Sequence, residues 1–266
     1  MKIIGRLNQT IVGPEKTTKI AVMTEHSRQK RLYREQWALK IALSRNILVP
    51  PTIDYHINKI NGKEIEILIL KTIKGEIISF HETAHNIKAM YLVGCQLNLL
   101  NLLGEIGFGW PHPETLRGEF KSWESFLIFF VQKYGKRLLD CDIISCEALD
   151  NLLRKITNFS HCLIISPSLI HRDIKPANIL YASNGPYILD WENALLGDSL
   201  FDVAQYGANY GKTKMWQSLA DGFGFCIDDD KYALYEAIAL IGVIDFYRKQ
   251  KLNYSEKKRQ LYKLLA

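Results

Sequence analysis

The hydrophobic period of the chain changes once, near Gly75, and that change constrains the fold more than any other feature of the sequence. Before it, apolar residues fall in short runs of strand character: Lys2 to Gly5, Thr10 to Gly13, Lys19 to Met23 and Glu64 to Leu70, the last alternating through Glu64-Ile65-Glu66-Ile67. One helix is expected among them, Ser27 to Ser44, with Leu32, Trp37, Leu39, Ile41 and Ala42 available for an apolar face. After Gly75 the spacing is helical, over Ala84 to Leu103, Trp123 to Tyr134, Cys146 to Cys162, Leu200 to Tyr210 and Tyr232 to Arg248. The expectation is an α+β, bilobal fold. A small antiparallel-sheet lobe, residues 1–75, ends in a hinge at Lys71-Thr72-Ile73-Lys74-Gly75-Glu76 and precedes a larger helical lobe, residues 76–266, with a ligand cleft between them.

The 266 residues are 47% apolar and 23% charged, which suits a chain that buries a sizeable core and excludes a disordered one. The longest apolar run, Phe126 to Val131, is far short of the roughly 20 residues a membrane span needs. No secretory signal opens the chain, so the expected compartment is the cytoplasm. Cys95, Cys141, Cys146, Cys162 and Cys226 are odd in number and form no Cys-x-x-Cys pair, which argues against a disulfide framework and a cysteine zinc site. The net charge of +6 is spread along the chain; it favours anionic ligands such as nucleotides and gives little support to nucleic-acid binding.

The chemistry concentrates in Leu169-Ile170-His171-Arg172-Asp173-Ile174-Lys175-Pro176-Ala177-Asn178-Ile179-Leu180, followed by Tyr187-Ile188-Leu189-Asp190-Trp191-Glu192. Two short β-type runs flank Asn184-Gly185, a tight-turn signal. A turn centred at Asn184 brings Asn178 and Asp190 together at the open end of a hairpin, as an amide oxygen and a carboxylate suited to Mg²⁺. Asp173 precedes them in a loop, close enough to take a proton from a hydroxyl beside that metal, and Lys175 can neutralise charge on a transferring phosphoryl group.

This string resembles the protein-kinase catalytic loop, His-Arg-Asp with an Asn five residues after the Asp. Downstream, Asp190 is followed by Trp-Glu rather than Phe-Gly, no long activation loop fits before Asp198, and no Ala-Pro-Glu follows. The run Asp190-Trp191-Glu192 to Gly197-Asp198-Ser-Leu-Phe-Asp202-Val-Ala204 instead resembles the aminoglycoside phosphotransferase and choline-kinase-like family. Weaker likenesses are Gly5-Arg6-Leu7-Asn8, Arg34-Glu35, Val49-Pro50-Pro51, Gly75-Glu76, Gly107-Phe-Gly-Trp110 and Ser122-Trp123.

The resemblance implies a kinase-like fold with ATP between the lobes and a small-molecule hydroxyl as acceptor, either an antibiotic, a sugar, an amino alcohol or another metabolite. It implies that Asp173 orients or deprotonates the acceptor hydroxyl, that Asn178 and Asp190 hold Mg²⁺, that Asp202 braces the loop backbone, and that His171 supports it from beneath. Arg172 stands where the family more often has Gly, and a local carboxylate could pair with it.

The phosphate-binding lysine expected at the end of the third strand is replaced by Met23. Lys19, sixteen residues before Glu35, faces the same side but lies roughly 13 Å from Met23 along an extended strand. Three readings stay open: Lys19 serves after a register slip, with Glu35 beside it; Lys30 substitutes; or phosphate binding is weak, as the presence of only Gly5 and Gly13 in place of a Gly-rich loop also suggests.

Two other readings compete. A non-catalytic pseudokinase is motivated by Met23 and the weak phosphate loop, and a zinc hydrolase by His81-Glu82-Thr83-Ala84-His85, two histidines at helical spacing around a Glu, with Glu105 as a third ligand. The acidic group Asp221, Asp228, Asp229 and Asp230 could attract a polycationic acceptor or be a solvated loop.

Overall fold

Alternating residues in the first part of the chain need a sheet to bury one face, and they form one. The computed structural model describes residues 2–4, 9–22, 30–60, 62–100, 104, 106–112, 114–224 and 229–266. Strands β1 (Lys2–Ile4), β2 (Gln9–Val12) and β3 (Lys16–Val22) are followed by helix α1 (Arg31–Ser44) and by β4 (Thr52–Ile60) and β5 (Lys63–Lys71). The sheet has the order β1-β2-β3-β5-β4, antiparallel at every pairing.

In β5 the inward residues are Glu66, Leu68 and Leu70, while Ile65, Ile67 and Ile69 lie on the half-exposed side. A buried glutamate is tolerated here because its Oε1 accepts hydrogen bonds from the Tyr55 hydroxyl (2.9 Å) and from the Tyr33 backbone amide in the first turn of α1 (3.1 Å). Of the apolar face expected for α1, Leu32, Leu39 and Ala42 are buried and Trp37 and Ile41 half-buried; Arg34 and Glu35 are buried with them.

The rest is mainly helical: β6 (Glu76–Ile77), α2 (Ala84–Asn98), β7 (Phe108–Pro111), β8 (Gly118–Phe120), α3 (Trp123–Leu139), α4 (Cys146–Asn158), β9 (Ser168–Ile170), β10 (Ile179–Ala182), β11 (Gly185–Ile188), β12 (Leu195–Gly197), α5 (Leu200–Tyr210), α6 (Lys214–Phe223), α7 (Asp229–Lys249) and α8 (Ser255–Leu265). The molecule is thus α+β, a small antiparallel-sheet part joined to a larger helical one. Helix starts follow side-chain caps: the Thr83, Ser122, Ser145 and Thr213 hydroxyls accept from amides at the heads of α2, α3, α4 and α6.

Expected boundaries differ in places. The helix expected to reach Cys162 ends at Asn158, and Ser160–Leu163 continues as a tighter 3-10 turn. Strand β4 and helices α6 and α8 were not expected from periodicity. Gly5, Arg6, Leu7, Asn8, Met23, Ser27, Glu105, Cys226 and Asp228, each used in the sequence reading, lie outside the described residues.

Where α2 crosses α6 the backbones touch, and a methyl group on Gly222 would overlap the Tyr91 carbonyl oxygen. Deeper in the helical part, Trp123 stacks on Phe126 at 5.1 Å, and its Nε1–H donates to the Tyr235 hydroxyl (2.9 Å), which donates to Asp198 Oδ2 (2.8 Å). Lys231 completes this buried chain at 2.6 Å from the same oxygen, so α3, α7 and the turn before α5 are locked together beneath the polar loop. Among the described residues, no helix is long and apolar enough to cross a membrane.

Candidate active site

Strand β9 pairs with β12 and delivers the chain at Ile170 into a loop whose polar groups are almost all accounted for. His171 is fully buried. Its Nε2 lies 2.8 Å from the Leu189 carbonyl oxygen, its Nδ1 accepts from the Asp173 amide (3.1 Å), and its ring meets Trp191 edge-on at 4.6 Å. The tautomer with hydrogen on Nε2 satisfies both bonds. Asp202, two residues into the helix Leu200–Tyr210, reaches back: Oδ2 accepts from the His171 amide (2.8 Å) and Oδ1 from the Arg172 amide (2.6 Å). Burial raises the Asp202 pKa in spite of these bonds. These bonds have Asp202 bracing the loop backbone and His171 beneath it, as the family resemblance implied.

At Arg172 the backbone is left-handed, φ 66°, which gives a physical reason for a glycine to be favoured at this place. Its side chain stacks on aromatic rings, and among the described residues it forms no ion pair with a carboxylate. Beyond it, Lys175 Nζ lies 2.6 Å from Asp173 Oδ2, and Asn178 Nδ2 donates to the same oxygen (3.1 Å) and to the Asp173 carbonyl (2.9 Å). The loop therefore gathers Asp173, Lys175 and Asn178 into one cluster.

The hairpin behind it turns one residue earlier than the Asn-Gly signal indicated. Ala182 pairs with Gly185 and Ile179 with Ile188, so Ser183 and Asn184 form a two-residue turn and Asn178 stands opposite Leu189, whose amide donates to its carbonyl (2.8 Å). Asp190 comes one residue later, at a left-handed position (φ 65°, ψ 63°), and its carboxylate goes to the small sheet instead: Lys19 Nζ is 2.7 Å from Asp190 Oδ1. The same ammonium is 2.7 and 2.9 Å from the two oxygens of Glu35.

This contact sets Lys19, and not Lys30, beside Glu35 and Asp190. Lys19 sits mid-strand opposite Leu68, while Lys30 lies with its ammonium 6.0 Å from the Tyr33 ring. Electrostatics follow from the geometry. Burial alone would lower the Lys19 pKa, but the two carboxylates overcome it and the net shift is upward. Burial raises Glu35, to about 7, against the pull of Lys19. For Asp190 burial acts upward too, but Lys19 prevails and the pKa falls below the usual carboxylate value.

Asn178 and Asp190 offer an amide and a carboxylate, oxygen donors only, and among the described residues no three His, Cys, Asp or Glu side chains gather as a metal cage. That set fits Mg²⁺, which takes one or two protein carboxylates and completes its shell with water and phosphate.

The zinc motif is not assembled. The two histidines need a shared helix, but α2 begins at Ala84 behind its Thr83 cap, leaving His81 outside it. His85 packs on Tyr181 (4.5 Å), and Glu82 Oε1 accepts from the Lys214 amide (2.7 Å). Of the acidic group, Asp221 accepts from Gln217 Nε2 (2.7 Å) on α6.

Residues 145–225, which hold the whole cluster from His171 to Asp202, match the profile of the APH, or phosphotransferase enzyme, family. The chain has the kinase-like fold of that family. Among solved structures it is similar to aminoglycoside phosphotransferase APH(4)-Ia, with TM-score 0.76, 13% identity, 98% of this chain and 90% of that chain covered. It is also similar to APH(2")-IIia, solved with GDP and kanamycin, with TM-score 0.66, 13% identity and coverage of 99% and 91%. Choline kinase LicA from Streptococcus pneumoniae aligns with TM-score 0.65, 14% identity and coverage of 100% and 90%. APH(4)-Ia has also been solved in a ternary complex with AMP-PNP and hygromycin B. At these identities the likeness is one of fold. No curated protein matches the sequence.

Tyr210, on which the charge of Asp173 acts, was visible in the sequence only as a helix end; α5 is carried to the loop by contacts such as Gln205 Nε2 to the Arg172 carbonyl (2.6 Å), which no local spacing encodes.

Proposed function

We propose that the protein transfers the γ-phosphoryl group of ATP, with Mg²⁺, to a hydroxyl of a small molecule. The observation that carries this reading is the cluster of Asp173 with Lys175 and Asn178, in a loop braced by Asp202, next to a Lys19 held between Glu35 and Asp190.

Asp173 receives the hydrogen bond of the acceptor hydroxyl and takes its proton as the oxygen attacks the γ-phosphorus; the bond from that phosphorus to the bridging oxygen breaks and ADP leaves. Lys175, 2.6 Å from Asp173, places positive charge beside the phosphoryl group in flight. Lys19 holds the nucleotide phosphates, with Glu35 fixing its direction from α1. Asn178 and Asp190 hold Mg²⁺, which when bound offsets the charge of the phosphates. The small sheet, residues 1–75, serves as the nucleotide lobe and residues 76–266 carry the catalytic loop and acceptor site.

The Lys19 contacts speak against one of the two grounds for a non-catalytic relative, the methionine at position 23; the other is the weak phosphate loop. The test is ADP release by the purified protein with MgATP and a panel of sugars, amino alcohols, sugar acids and aminoglycosides. Acceptor-dependent ADP formation is expected. Binding of MgATP with no turnover of any acceptor would favour the pseudokinase instead.

A further inference from the structure

Phe80 is 52% exposed, and the backbone that carries it is fixed from several sides. Strand β6 pairs with β10, Ile77 opposite Leu180, and the Ile78 amide donates to the Ile179 carbonyl (3.0 Å), the residue after Asn178. Buried Asn86, in the first turn of α2, donates through Nδ2 to the carbonyls of Ser79 (3.2 Å) and His81 (2.9 Å), one on each side of Phe80. Glu82 ties the segment to the head of α6 at the Lys214 amide (2.7 Å), and Thr83 caps α2. The residues that resembled a zinc motif thus serve as a mount for one aromatic ring.

A single exposed apolar side chain needs no explanation by itself. This one stands beside the catalytic loop. Its ring meets that of Tyr210 with centres 5.0 Å apart, and Tyr210 meets Tyr206 at the same distance. Tyr210 ends α5, the helix that carries Asp202 and whose Gln205 Nε2 donates to the carbonyl of Arg172, the residue before Asp173 (2.6 Å). Lys257 on α8 fixes that helix end, donating to the Ala208 (2.6 Å) and Asn209 (2.8 Å) carbonyls. Burial raises the pKa of the Tyr210 phenol and the charge of Asp173 raises it further, so the two side chains are near neighbours. Lys19 and Asp190, by contrast, meet on the side of the small sheet.

We infer that Phe80 and Tyr210 form the wall on which the acceptor lies, and that the acceptor is a cyclic sugar or polyol whose C–H face packs on these rings while its hydroxyl meets Asp173. This rests on the phosphotransferase reading and narrows it. A sugar ring gathers its C–H bonds into a flat apolar patch, which an aromatic face covers well; an open chain holds no such patch in place. An aromatic wall can also attract a cationic head group. Here the carboxylate beside the wall, Asp173, is already matched by Lys175 at 2.6 Å, so the wall offers apolar contact without a free counter-charge.

The test follows ADP release from MgATP with five acceptor probes, glucose, ribose, hygromycin B, gluconate and choline, in the parent, Phe80→Ala and Phe80→Tyr. The best acceptor should be one of the three cyclic probes. For it, Phe80→Ala should raise the acceptor KM about tenfold, with kcat and the KM for MgATP little changed. Phe80→Tyr, which keeps the ring, should recover most of that loss. Urea unfolding of Phe80→Ala should match the parent, because the ring is half in solvent. Gluconate or choline as best acceptor overturns the cyclic class. An unchanged acceptor KM in Phe80→Ala, or an equal rise in the KM for MgATP, overturns the wall. Each of these leaves the phosphotransferase reading intact, whereas no acceptor-dependent ADP release with any probe overturns both.

Discussion

Lys19→Met takes an ammonium from between two carboxylates while keeping most of the side chain's length. Glu35 bears the consequence, because its side chain is 1% exposed and that of Asp190 is 36% exposed. Removing one partner of a buried pair costs roughly 3–5 kcal/mol when the other stays charged. Glu35 has a cheaper course. Burial already raises its pKa to about 7 against the pull of Lys19, and without that pull it rises further, so the carboxyl takes a proton on folding.

The unfolded carboxyl keeps its ordinary value of 4.5. Above that pH the folded variant binds a proton that the unfolded chain has released, so its stability falls as pH rises, by about 1.4 kcal/mol per unit. In the parent this fall ends near pH 7, where Glu35 ionises in its salt bridge. In the parent Asp190, whose pKa Lys19 lowers, stays ionised on both sides of folding above pH 7 and adds no slope; in the variant its 36% exposed side chain leaves water to solvate the charge. The deficit of the variant should therefore grow by about 2 kcal/mol between pH 7 and 8.5. Urea unfolding followed by tryptophan emission, with Trp37 on α1 as a nearby reporter, measures it. Lys19→Met combined with Glu35→Gln should remove the growth with pH. An equal deficit at both pH values, or a slope that survives in the double variant, refutes the reasoning.

At the left-handed Arg172, Arg172→Gly should be more stable than Arg172→Ala by about 1 kcal/mol in urea unfolding; equal stabilities would mean that φ 66° carries no strain. Gly222→Ala should lower stability by about 1–3 kcal/mol, read by thermal unfolding, because a methyl there meets the Tyr91 carbonyl across the α2–α6 crossing. Asp202→Asn turns one of two acceptor oxygens into a donor facing a backbone N–H, which should cost about 1–3 kcal/mol of stability and lower kcat with the KM for MgATP little changed.

The sequence carried the parts of this account that are local. The His171 to Asn178 loop was legible because it rests on spacing within one segment, the α+β order because the hydrophobic period changes once, and the Asp202 brace only through the family resemblance. The hairpin was placed one residue off, since Asn184-Gly185 marks a turn but Ser183-Asn184 forms its two central positions. The alternation at Glu64 to Ile67 was visible, yet the inward residue is Glu66, whose burial depends on Tyr55 and the head of α1. Lys19 could not be chosen over Lys30 or the Met23 position from sequence, because its partners arrive from α1 and from Asp190, far along the chain. The zinc pattern failed for the opposite reason: a local capping threonine, Thr83, starts the helix inside the motif.

The central claim is that Asp173 acts on the acceptor while Asp190 holds the metal with the nucleotide. Titration of MgATP against Asp173→Asn and Asp190→Ala, with kcat measured on both, tests it most directly. Asp173→Asn should bind MgATP as the parent does and lose roughly 10²- to 10⁴-fold in kcat, whereas Asp190→Ala should lose MgATP affinity as well as turnover. Equal loss of MgATP affinity in the two variants, or full activity in Asp173→Asn, would contradict the assignment.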